Sequence, residues 1–96
     1  MPAYIIFTRE NTTDQAQLDV YAEMAPASFP GHPITPRVVY GDFEMLEGTP
    51  IEGTVVLEFP TIGEAQSWYR SPKYQAAAAH RHAGAEYRVF IVNGVE

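Results

Sequence analysis

The chain has 96 residues, of which 46% are hydrophobic and 12% aromatic, and twelve acidic against six basic side chains give it a formal charge of −6. That length admits one domain with a core small enough to gain from a partner, and so acidic a balance excludes a surface that tracks nucleic-acid phosphates. The lack of cysteine excludes disulfides, thiolate catalysis and Cys-ligated zinc or iron–sulfur sites; no apolar run approaches a membrane span, no basic cleavable leader precedes the first strand, and a cytoplasmic protein is expected.

Ala3 to Thr8 is rich in β-branched and aromatic residues and reads as a first strand, buried on both faces or nearly so. Thr12, as N-cap, and Gln15, at the third helical position, form a capping box that opens a helix. Leu18, Tyr21, Ala22 and Ala25 then recur at helical spacing while Asp19 and Glu23 fall elsewhere, which makes one face apolar, and Pro26 closes the helix. Ser28 to Pro36, with its prolines and glycine, is a loop. Arg37-Val38-Val39-Tyr40 forms a short second strand ended by Gly41-Asp42, and Glu44 to Gly53 is an acidic turn. Thr54 to Phe59 is a third strand stopped by Pro60. Thr61 and Glu64 repeat the capping-box spacing and open a helix through Tyr69; Ser71-Pro72 restarts it, since Ser caps and Pro suits the first helical position, and Ala76 to Ala79 continue it. Tyr87 to Val92 is the last strand, followed by Asn93-Gly94.

The order β-α-β-β-α-β defines an α+β, ferredoxin-like fold, a four-stranded antiparallel sheet with both helices on one face. The other face is left bare and would carry Ile5 or Ile6, Val38 or Val39, Val55 or Val56 and Phe90 or Val89. Such a face is too apolar for water, so a homodimer formed through it is expected.

Leu46-Glu47-Gly48, Glu58-Phe59-Pro60, Ala65, Trp68-Tyr69, Ser71-Pro72, Tyr74-Gln75 and Arg81 follow one another in an order and spacing that resembles the DUF1330 family over essentially the whole chain. The Trp-Tyr-x-Ser-Pro-x-Tyr-Gln core is the specific part. The resemblance implies a dimeric α+β barrel, an architecture that also hosts cofactor-free monooxygenases, polyketide cyclases and muconolactone isomerases. Where such proteins carry Gly-Gly pairs around the second strand, this chain has Thr35-Pro36 and Gly41-Asp42, so the entry to that strand should be shaped differently.

Tyr74 and Arg81 lie seven residues apart on the last helix and share a face, with Ala77 and Ala78 leaving space between them. A guanidinium beside a phenol binds a carboxylate, enolate or phenolate; alternatively Arg81 pairs with Glu58, Glu86 or a partner carboxylate and Tyr74 only packs. Trp68 and Tyr69 point about 100° apart, so one can be core and the other face a cleft. Ser71 is explained by its cap role, and no base is spaced to make it a nucleophile; it and Trp68 are candidate substrate contacts. His80 and His82 face nearly opposite ways on a helix and cannot clasp one metal; no metal centre is expected, and either is a candidate general base. Glu47, within Leu-Glu-Gly, is a candidate proton acceptor or orienter of Arg81, with turn capping as the other possibility, and Tyr40 closes the second strand as a candidate substrate contact. No phosphate loop, nucleophile elbow, zinc signature or dinucleotide fingerprint occurs, so no cofactor is expected. The expected function is proton-transfer chemistry on a small apolar or aromatic acid or carbonyl compound; the alternative is non-catalytic binding of such a ligand on the same fold.

Overall fold

The first strand, β1 (Ala3–Thr12), runs past its expected end at Thr8 in the computed structural model, which describes residues 1–96. Pairing, not propensity, carries it on: Arg9 opposes Tyr87 and Thr12 opposes Ala85 across an irregularity between Arg9 and Asn11. Thr12 is therefore strand, and its hydroxyl and amide donate to Glu52. The cap of α1 (Gln15–Ala27) is instead Asp14, whose carboxylate accepts from the amides of Ala16 and Gln17. Pro26 sits inside the last turn and does not end the helix.

β2 (Thr35–Val39) starts two residues ahead of Arg37 and stops before Tyr40, and residues 41–52 form neither helix nor strand ahead of β3 (Gly53–Phe59). The expected caps hold for both later helices: Thr61 accepts from the Glu64 amide at the head of α2 (Ile62–Tyr69), and Ser71 accepts from the Tyr74 amide at the head of α3 (Pro72–Gly84). β4 (Ala85–Asn93) follows α3 without a loop and so begins ahead of Tyr87.

The fold is α+β and ferredoxin-like, with sheet order β2-β3-β1-β4 and every neighbouring pair antiparallel. Alternation along the strands sends Ile5, Phe7, Leu57 and Phe59 under the helices into the core. On the other face Val38, Val56, Ile6 and Phe90 pair in one row across all four strands. Phe90 is 50% exposed in the single chain, so register resolves each of the open alternatives and leaves an apolar stripe bare.

α1 packs along α3 instead of lying down on the sheet. Buried Ala77 and Ala78 allow the approach, and Gly84 requires it: a Cβ there would stand 2.9 Å from Leu18. The Gly84 carbonyl accepts from the amides of both Thr13 and Asp14 at 2.9 Å, which ties the start of α1 to the end of α3. The gap left between α1 and the strands is the feature on which the candidate site depends.

Candidate functional site

Beneath α2 and α3 the aromatic residues singled out in the sequence form a sealed cluster. Trp68 is 1% exposed and Tyr74 0%, with ring centroids 4.1 Å apart, while Phe7, Phe29 and Phe59 flank Trp68. The Trp68 indole donates to the buried Ser28 hydroxyl at 3.0 Å, which satisfies its one polar atom. Arg81 is 3% exposed, and no carboxylate lies within ion-pair distance of it; Glu58 is taken by Arg37 at 3.0 Å. Its Nε donates to the Tyr74 hydroxyl at 3.3 Å, its Nη2 reaches His82 Nε2 at 3.4 Å, and its guanidinium carbon stands 5.1 Å and 5.5 Å from the ring centroids of Tyr87 and Phe7. A buried cation held by a phenol, an imidazole and ring faces, with no carboxylate, is an unusual expense for so small a fold.

On the other side of that cluster, under α1, lies a cavity of about 380 Å³. Its walls are mainly apolar: Leu18, Ala22 and Ala25 of α1, Phe7, Val55 and Leu57 of the sheet, and an edge of Trp68. Pro36 also lines it, so the residue that departs from the family pattern is part of the wall. Two phenol pairs supply the polar end. Tyr21 and Tyr74 have their oxygens 2.9 Å apart, and Tyr40 and Tyr87 theirs 2.6 Å apart. Arg9 stacks over the Tyr40 ring at 4.8 Å, and its buried Nε, 3.1 Å from Glu52, makes no aligned hydrogen bond. Tyr40 is held at φ +51, outside the range most non-glycine residues adopt, with its ring lying where a Cβ on Gly53 would be.

Burial pushes the phenols of Tyr21 and Tyr40 far above their ordinary range, reinforced by Tyr74 in the first case and by the bond to Tyr87 in the second. Burial also raises Tyr74, against the opposing effect of Arg81. For Arg81 itself burial acts downward, but the phenol oxygens of Tyr74, Tyr21 and Tyr69 outweigh it and the net shift is upward. The guanidinium therefore stays charged and these phenols stay protonated near neutral pH, available as donors.

Of the residues proposed from the sequence, Trp68 and Tyr40 line the cavity. Tyr74 and Arg81 meet as expected but sit behind its wall. Tyr69, Arg81 and His82 edge a second, more open depression. His82 is exposed, and its pKa is lowered by burial of its ring and by Arg81. His80 bonds Gln17 of α1 at 2.7 Å and does not line the cavity. Ser71 is occupied in capping α3 and donates to the Trp68 carbonyl. Glu47 is exposed and has no side-chain bond; no cluster of His, Asp or Glu is arranged to hold a metal ion. The sequence reading missed Tyr21, Arg9, Tyr87 and Asp19. One signal was available: Arg9 and Tyr87 continue the helix-facing registers of β1 and β4, where a strand of this fold otherwise carries core residues.

Solved structures share this ferredoxin-like α+β architecture. A protein of unknown function from Rhodopseudomonas palustris superposes with a TM-score of 0.75 at 18% identity, covering 99% of this chain and 83% of that one. A dimeric protein of unknown function and ferredoxin-like fold from Bacteroides fragilis gives 0.60 at 14%, covering 97% and 96%. SnoaB, a cofactor-independent oxygenase from Streptomyces nogalater, gives 0.63 at 10%, covering 99% and 94%. No protein with a curated description matches. The family model of DUF1330, a domain of unknown function, matches residues 2–95, and the chain belongs to that family. No helix is long and apolar enough to cross a membrane.

Proposed function

We propose that this protein binds a small apolar or aromatic compound bearing a carbonyl or acidic oxygen in the cavity under α1, and acts on it by proton transfer without a cofactor. One observation carries this: a mainly apolar cavity of about 380 Å³ ends in two phenol pairs beside a buried guanidinium that has no carboxylate partner. Apolar walls take the body of the ligand, and preorganised donors stabilise charge that develops on its oxygen. Asp19 is the one carboxylate in the lining, so the base role passes to it from His80 and His82. It would take a proton from the carbon next to the carbonyl. An isomerase or cyclase step needs no more than the resulting enolate, and a monooxygenase step adds dioxygen to it; SnoaB on the same fold is consistent with that range.

Non-catalytic binding is the second reading, favoured by Asp19 being exposed at the mouth and engaged by the Gln15 amide at 2.9 Å. In both, a second copy covers the row of Val38, Val56, Ile6 and Phe90, as supported by the dimeric relative; sedimentation at micromolar concentration should report a homodimer.

The test is a thermal-shift screen of the wild type and Ala22→Trp against phenols, lactones, small carboxylates and polyketide-like aromatics. Ligands of the cavity raise the wild-type melting temperature by mass action and leave the plugged variant unmoved. Ligands that stabilise both proteins equally would sink the assignment to this cavity, and a hit consumed by the wild type separates enzyme from binding protein.

A further inference from the structure

The Arg81–Tyr74–Tyr21 hydrogen-bond chain has a direction. Tyr74 is fully buried, and its hydroxyl has two partners, Arg81 Nε at 3.3 Å and the Tyr21 hydroxyl at 2.9 Å. A guanidinium donates and never accepts, so the Tyr74 proton has only the Tyr21 oxygen to go to. In either direction one proton of the pair has no protein acceptor, and leaving it on Tyr21, which borders the cavity, costs less than leaving it on the fully buried Tyr74. Tyr21 therefore accepts from Tyr74, and its own proton has no protein acceptor. Tyr21 is also a residue of the cavity wall.

We propose that Tyr21 is the group that donates to the oxygen of a bound carbonyl, enolate or phenolate compound, with Arg81 and Tyr74 as positioning residues that set its polarity from behind the wall. This rests on the cavity reading above and sharpens it. A chain of hydrogen bonds headed by a cation polarises each donor along it, so the terminal hydroxyl is a stronger donor than an isolated phenol. The guanidinium carbon lies 6.0 Å from the Tyr21 ring centroid and 5.1 Å from that of Tyr87, so an oxyanion at the polar end feels an unneutralised positive charge through dry protein. Arg9, by contrast, is offset by Glu52 at 3.1 Å. The site thus selects an acceptor oxygen on an apolar body, favours its anionic form and rejects cations. It also gives the buried guanidinium a role that packing alone does not.

The experiment uses two probes of one shape: 4-nitrophenol, whose ionisation is visible by absorbance, and 4-nitrotoluene, which lacks the hydroxyl. The wild type should bind both and lower the pKa of bound 4-nitrophenol. Tyr21→Phe should hold 4-nitrotoluene within about twofold yet bind 4-nitrophenolate about tenfold more weakly, the loss expected of one charge-assisted hydrogen bond, and return the pKa of the probe toward its free value. Tyr74→Phe, which keeps the ring and removes the relay, should leave 4-nitrotoluene bound and cancel part of the pKa shift. If Tyr21→Phe binds both probes as the wild type does, the donor assignment fails and the cavity reading stands. Equal loss of both probes in that variant would make Tyr21 a packing residue and overturn the proposal, and a wild type that binds neither would overturn the cavity reading with it.

Discussion

The side chains under α1 and those under α2 and α3 share one chemistry, phenols and a guanidinium among apolar residues, and are packed in opposite ways. Below α2 and α3 the rings of Trp68 and Tyr74 meet at 4.1 Å and leave no space. Below α1 the rings of Tyr21, Tyr40 and Tyr87 border a cavity. The difference lies in the covering helix: α1 is tied to α3 through Gly84 and Leu18 and so is held off the sheet. Polar-tipped aromatics in sequence therefore mark the interior, and the distance of the covering element decides whether that interior is core or site.

Substitutions should separate the two regions. The largest effect is expected for Trp68→Ala, which opens a hole in the sealed cluster and removes the indole that donates to the Ser28 hydroxyl; urea denaturation should show a loss of about 3–5 kcal/mol. A loss below about 1 kcal/mol would mean that the cluster is not the core described. Next is Gly53→Ala. The added methyl would meet the Tyr40 ring at 2.6 Å, so the ring must leave its place over the mouth. We expect about 1–3 kcal/mol of destabilisation together with loss of cavity ligands, whereas stable protein with unchanged ligand affinity would show that Tyr40 is not part of the site.

Arg81→Leu lies on the boundary between the regions and tests it most directly. Because no carboxylate is left uncompensated by its removal, the variant should lose no more than about 1 kcal/mol, the worth of its bond to Tyr74, while its preference for anionic over neutral ligands disappears. A collapse of the fold would move Arg81 to the sealed side of the comparison.

How much of this the sequence displayed follows the same division. The strand and helix order, the Thr61 and Ser71 caps and the family were legible because each rests on local chemistry. Asp14 displaced Thr12 as a cap because β4 recruits Thr12 into the sheet, a tertiary effect that capping residues two positions apart cannot reveal. Leu18, Tyr21, Ala22 and Ala25 were legible as an apolar face, but periodicity says which way a helix face points and not whether anything touches it. Arg81 and Tyr74 were seen as a pair. That they lie behind the wall, with Tyr21 in front, depends on a contact between helices 53 residues apart in the chain.

The smallest effect belongs to His82, on the outer side of Arg81, and it sharpens the comparison because this edge of the cluster is wet. His82 accepts from Arg81 only while Nε2 is unprotonated, and both the burial of its ring and the guanidinium hold its pKa below the usual 6.5. In the unfolded chain it takes up its proton near 6.5, ahead of the folded state, so the unfolded form binds more protons in that window and stability falls as pH drops through it. Above 6.5 the contribution is fully present. Because the residue is exposed, the change should be slight: His82→Gln should match the wild type at pH 8 and show a flatter decline just below 6.5, in a range where carboxylates such as Glu52, held low by bonds from Thr12, have not begun to titrate. Identical slopes for the two proteins would mean that the guanidinium does not reach His82 in solution and is directed wholly inward, toward Tyr74 and the cavity.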